Sequence, residues 1–141
     1  MAKKGKPNIT LPITHFENYD FSFSGIKTAV INLNHKIPNI NKEDLCASFE
    51  NAVTEMLLNN CIKAIKEFNL KKLVLAGGVA RNSYIRKKFD ELSEKKKVDI
   101  FYPEGLLCTD NAAMIAASGY YDFLKEKFAD LKLNAVPNLK L

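Results

Sequence analysis

Two short runs of this chain hold the residue types that a ligand site needs. The first is LVLAGGVARN, Leu73 to Asn82. Apolar residues lead into paired glycines, Gly77 and Gly78, and an asparagine closes the run. Glycines let the backbone take positive φ, or let another group come close to main-chain N–H groups. Set between a strand and a helix, those N–H groups can meet an anion, helped by the helix dipole. Asn82 can hydrogen-bond a ribose or a phosphate. The plainer alternative is that the glycines only turn the chain and Asn82 caps the next helix. The second run is PEGLLCTDN, Pro103 to Asn111. Its Asp110 can bind a divalent metal or position a reacting group. Alternatively, Thr109 or Asp110 caps the helix that follows. One carboxylate has lone pairs enough for both roles.

Other candidates are weaker. The two histidines, His15 and His35, are not spaced as ligands on one helix face and read as solvated. Cys108 has no basic or histidine neighbour in sequence to activate its thiol, so it reads as a small buried residue. With Cys46 and Cys61 it makes an odd number of cysteines and no CxxC spacing. That pattern fits free thiols in a reducing compartment, hence a cytoplasmic location. No run approaches the roughly 18 apolar residues of a membrane span. The lysine-bearing start, MAKKGKPNIT, lacks the apolar stretch of a secretory signal.

A length of 141 residues fits one domain with a real core. The net charge of +5, nearly all from lysine, is compatible with an RNA partner. It is equally that of a merely soluble surface. Lys87, Lys88 and Lys95 to Lys97 can face RNA or simply solvate a helix.

These residues need elements to position them. Residues 1–20 show no period and read as an irregular connector. A helix is expected in DFSFSGIKTAVINL, capped by Ser22 or Ser24, with Ile26, Val30 and Leu33 inward and Pro38 closing the unit. A longer helix follows, capped by Asn41 and helped by Asp44. Leu45, Phe49, Val53, Leu57, Cys61, Ile65 and Phe68 form its apolar stripe. KKLVLAGG reads as a strand buried on both faces of a parallel sheet. NSYIRKKFDELSEKKK reads as a helix with Ile85, Phe89 and Leu92 inward, and VDIFYP as a second strand. TDNAAMIAASGYYDFLKEKF reads as a final helix whose small residues permit close packing, before an irregular tail. The alternation of helix and strand predicts an α/β fold, helix-rich, with few parallel strands. In such sheets ligands sit beyond the carboxyl ends of the strands, where both loops fall. Two strands make a poor sheet with exposed edges. Either further strands go unread, or this is part of a larger domain, or the edges pair with another molecule. A truncated sheet predicts a homodimer or larger self-association.

The same runs resemble a known family. LVLAGGVARNSYIR, then LCTDNAAMIAASGYY with Asp110 28 positions beyond Asn82, are similar to the tRNA adenosine threonylcarbamoyltransferase family (TsaD or Gcp, formerly labelled O-sialoglycoprotein endopeptidase). DFSFSGIKTAV matches a third signature, SFSGLKT, with Ile26 in place of leucine. The resemblance runs from about Gly5 to the tail. It implies part of an actin-like ATPase (ASKHA, ribonuclease H-like) domain over residues 21–141. It implies transfer of a threonylcarbamoyl group from its adenylate to the exocyclic amine of an adenosine in the tRNA anticodon loop. It implies a nucleotide contact at Asn82, with Gly77 and Gly78 lining the same site, and an iron or zinc ligand at Asp110. ATP or threonylcarbamoyl-adenylate is the implied ligand; tRNA and accessory subunits of the transfer complex are the implied partners. The family's HxxxH metal motif and its SGGHT motif do not occur here. The chain thus resembles the C-terminal portion of the family protein, with the opening strands of the sheet expected before Met1. The implied consequence is one wall of a nucleotide cleft, inactive and without bound cofactor when alone. The alternative is a non-catalytic nucleotide- or partner-binding module. No HExxH, Ser/His/Asp set or activated cysteine supports the endopeptidase label.

Overall fold

The computed structural model describes residues 1–137, so the last part of the tail lies outside the described residues. The chain divides into two units, Met1–Cys108 and Thr109–Leu141. In the first unit, α1 spans Ser24–Lys36 and α2 spans Lys42–Glu67. Strand β1 spans Lys72–Val74, α3 spans Ser83–Lys96 and β2 spans Asp99–Phe101. The two strands pair in parallel, with Leu73 opposite Ile100. The second unit holds α4, Ala112–Leu124.

Local chemistry accounts for most of these boundaries. Asn41 caps α2 as expected: its Oδ1 accepts the N–H groups of Glu43 and Asp44 at 2.9 and 3.2 Å. Neither Ser22 nor Ser24 caps α1; Phe23 holds that position and no side chain bonds there. Asp44 does more than favour the first turn of α2. Its carboxylate accepts the Lys6 N–H at 2.8 Å and the Asn8 amide at 3.1 Å, fastening the opening residues to the helix. Those residues are irregular beyond a short 3-10 turn, Ala2–Lys4, yet Leu11 is buried. Gly5 passes so close to α2 that an added Cβ would lie 2.0 Å from the Glu43 carbonyl oxygen.

Two apolar clusters hold the first unit together. One joins Leu11, Ile26, Ala52 and Met56, with Val30 and Leu33 packed on it. The other joins Ile65, Ile85, Phe89, Leu92 and Val98, with Leu73, Leu75 and Ile100 laid on it from the sheet. The inward faces expected for α1 and α3 are the observed ones. The expected stripe of α2 is only partly its buried face: Leu45 and Ile65 are buried and Val53, Leu57 and Cys61 pack against the two clusters, but most of the other buried residues lie off the stripe. Ala47, Ser48, Ala52, Thr54 and Met56 are buried, whereas Phe49 is 41% and Phe68 58% exposed. Nor is β1 covered on both faces: Leu73 is half-buried, but Val74 is 68% exposed and Phe101 of β2 is 50% exposed. Helices cover one face of this sheet and leave the other bare. Within the second unit α4 buries no residue, and a Cβ at Gly119 would meet nothing within 4 Å.

Candidate functional site

Both sequence-marked loops leave the carboxyl ends of the paired strands. After β1, Leu75 still donates to the Phe101 carbonyl at 2.8 Å, which carries the pairing to the start of the first loop. Gly77 then takes φ +84°, a conformation open to glycine and costly to any residue with a Cβ. Its surroundings would tolerate a side chain, since nothing lies within 4 Å of an added Cβ. Backbone conformation, not crowding, therefore calls for glycine. Gly78–Arg81 makes one 3-10 turn, closed by Ala80 N–H on the Gly77 carbonyl at 3.0 Å. Among the described residues, the N–H groups of Gly77, Gly78 and Val79 donate to no backbone carbonyl.

Asn82 stands between this turn and α3. Its Oδ1 accepts the N–H groups of Tyr84 at 2.8 Å and Ile85 at 3.0 Å. Its Nδ2 donates to Glu50 Oε1, on α2, at 2.8 Å. Asn82 is thus the cap of α3, and the same carboxamide is tied across to α2. Sequence reasoning missed Glu50, because nothing in the run around Asn82 marks a partner 32 positions away.

It missed Arg86 as well. This half-buried guanidinium donates from Nε to the Ala80 carbonyl at 2.6 Å and from Nη2 to the Pro103 carbonyl at 2.9 Å. Nη2 also lies 3.1 Å from Cys108 Sγ. The guanidinium carbon stacks 4.4 Å from the centre of the Tyr102 ring. One side chain thereby ties the loop after β1 to the loop after β2. Tyr102 in turn donates its hydroxyl to Asp90 at 2.8 Å, and this bond raises its pKa above the usual tyrosine value, with the Arg86 charge acting the other way. Cys108 is buried, as expected, but it has the basic neighbour that its own stretch of sequence lacks.

Asp110 belongs to the second unit and is exposed, directly before α4. Neither it nor Thr109 caps that helix: Asn111 does, its Oδ1 accepting the Met114 N–H at 3.1 Å. Among the described residues no group of His, Cys, Asp and Glu side chains gathers as a metal site. A lone exposed carboxylate falls short of the three or four protein ligands that zinc or iron takes. The metal implied by resemblance would need further ligands beside Asp110.

Beside the first loop lies an open apolar cavity of about 1080 Å³. Phe49, Val53 and Leu57 of α2, Leu75 after β1, and Val79 line it, and Glu50 and Asn82 are its polar members near the loop. The stripe read from the sequence of α2 is thus one wall of this cavity. Among the described residues no helix is long and apolar enough to cross a membrane.

Comparison with known proteins takes in the stretch that holds both loops. Residues 1–117 match a family model described as TsaD, tRNA N6-adenosine threonylcarbamoyltransferase. Proteins named tRNA N6-adenosine threonylcarbamoyltransferase from Clostridium novyi and Thermosipho africanus are 44% and 49% identical to this chain over its whole length. One from Carboxydothermus hydrogenoformans is 48% identical, again over all of this chain. The chain spans 43–44% of the length of these relatives. A match over most of the chain, with relatives this similar along all of it, means that the chain belongs to the tRNA N6-adenosine threonylcarbamoyltransferase family.

Proposed function

We propose that this chain supplies one wall of a nucleotide site used in threonylcarbamoyl transfer to tRNA. The reaction would carry the threonylcarbamoyl group from its adenylate to the exocyclic amine of an adenosine in the anticodon loop. The observation that carries this reading is the loop from Gly77 to Asn82. It sets unengaged backbone N–H groups beside a capped helix and an apolar cavity large enough for a nucleotide. Asn82, Gly77 and Gly78 would meet ATP or the adenylate. Asp110 would be one ligand of the iron or zinc of a complete family protein, the others coming from residues beyond this chain. tRNA and accessory subunits of the transfer complex would be the partners, in the cytoplasm. The fold would be the corresponding part of an actin-like ATPase domain.

Since this chain covers less than half of its relatives, it is expected to be inactive alone. Its exposed strand edges and bare sheet face are expected to drive self-association, as a dimer or larger. Sedimentation at micromolar concentration tests that, and a clean monomer would end it. The nucleotide reading is tested by isothermal titration of residues 1–141 with ATP and Mg²⁺, beside Asn82→Ala. Micromolar binding that is lost in the variant supports a working wall, and would favour the second reading, a non-catalytic nucleotide-binding module. Absence of heat at millimolar ATP refutes binding by this chain alone.

A further inference from the structure

Asn82 is held in one orientation. Its Oδ1 faces two backbone N–H groups of α3, so its Nδ2 must point to Glu50. One of the two Nδ2 hydrogens is used there, and the other is left. On Glu50, Oε1 is taken by Asn82, while Oε2 accepts no hydrogen bond among the described residues. No cation neutralises Glu50 either: the one ion pair among the described residues joins Lys88 and Glu91. Both side chains line the apolar cavity. Its rim therefore offers one donor and one acceptor side by side, with a full negative charge.

That combination selects its ligand. A phosphate brought against Glu50 would meet a like charge. A hydroxyl can donate to Oε2 while accepting from Nδ2, and so satisfies both groups at once. An apolar, flat group attached nearby would lie against Phe49, Val53 and Val79. We propose that Glu50 and Asn82 together hold a sugar hydroxyl of a bound nucleoside, and that Glu50 makes this end of the site select sugar over phosphate. The proposal rests on the nucleotide reading and deepens it, giving Asn82 the sugar and leaving the phosphates to the Gly77–Val79 N–H groups.

The test follows the side-chain amide signals of Asn82 by NMR in the 15N-labelled chain. ATP, 2′,3′-dideoxy-ATP and inorganic tripolyphosphate are titrated separately to millimolar concentration. ATP is expected to shift the Asn82 amide and to bind about tenfold or more tighter than the dideoxy compound, the scale of a hydrogen bond to a charged group. Tripolyphosphate is expected to leave that amide in place. Glu50→Gln keeps an oxygen for Asn82 but replaces the second acceptor by a donor. It is expected to weaken ATP to the dideoxy level without changing dideoxy binding. Equal affinity for ATP and dideoxy-ATP in the unaltered chain, with Asn82 still shifting, would overturn the sugar assignment and spare the nucleotide reading. An equal loss of both ligands in Glu50→Gln would overturn the selective role of Glu50. No shift of Asn82 with either nucleotide would overturn nucleotide binding by this chain alone and the proposal with it.

Discussion

Replacing Arg86 by methionine should cost this chain about 3.5 kcal/mol, because one side chain bonds to the loop after β1 and to the loop after β2. Its two bonds to the Ala80 and Pro103 carbonyls measure 2.6 and 2.9 Å. Hydrogen bonds from a charged donor contribute about 1.5–3 kcal/mol each. Arg86 is half-buried, so water would replace part of each lost bond, and the lower figure applies. Stacking on Tyr102 at 4.4 Å adds about 0.5–1 kcal/mol. Methionine keeps much of the apolar stem, so packing loss is small. Urea unfolding followed by far-ultraviolet circular dichroism reads the effect. With a slope of about 1.5 kcal/mol per molar urea, the midpoint should fall by about 2 M. Arg86→Lys should recover less than half of the loss, since an ammonium reproduces neither the planar fork nor the stack. A loss below about 0.5 kcal/mol for Arg86→Met is the range of an ordinary surface change and would refute the clamp. So would a lysine variant as stable as the parent.

Two further outcomes are expected. Asn41→Ala should destabilise by about 1 kcal/mol through loss of one helix cap. Asn82→Ala removes a like cap and also strands the Glu50 carboxylate, so the same urea assay should show the larger loss there. Tyr19 donates to Glu67 at 2.6 Å, and this bond, with the nearby carboxylate charge, pushes the phenol from 10.0 up to about 12. A raised folded value favours the neutral phenol. Its stabilising contribution is therefore complete below pH 10 and is lost as the pH rises through about 12. Titration by absorbance at 295 nm should show one late tyrosine, brought back toward 10 by Glu67→Gln.

Much of this architecture was legible in the residues, and the exceptions have physical causes. Periodicity located the helices and both strands, because a face that meets a core repeats with the helix. It could not say how far around α2 the contact with protein extends. The Phe49–Val53–Leu57 stripe is the more apolar side of α2 to read, yet the small residues Ala47, Ser48 and Ala52 are buried there. Small residues let the opening segment and α1 come close, and a hydropathy pattern gives them little weight. Capping chemistry was legible at Asn41 and Asn82, where the first polar residue before the apolar period is the cap. At the start of α4 three neighbouring residues can all cap, and the sequence does not choose Asn111 from them. Glu50 and Arg86 act through partners far off in the chain, so no local motif announces them. Family resemblance marked Gly77, Gly78, Asn82 and Asp110, and the geometry describes the surroundings of the first three within one unit.

The opening residues run along α2 in the same direction as the helix. Lys6 and Asn8 meet Asp44, Ile9 meets Ser48, Asn60 meets the Tyr19 carbonyl, and Tyr19 meets Glu67. Every one of these bonds links residues 36 to 48 positions apart. A ribosome adding about 5–20 residues per second makes the first member of each pair several seconds before the second. During that interval Leu11 and Ile13 have no helix to lie on. This part of the core can therefore assemble only after α2 has been made, and any pause between residues 20 and 60 would lengthen the time for which it stays open to chaperones.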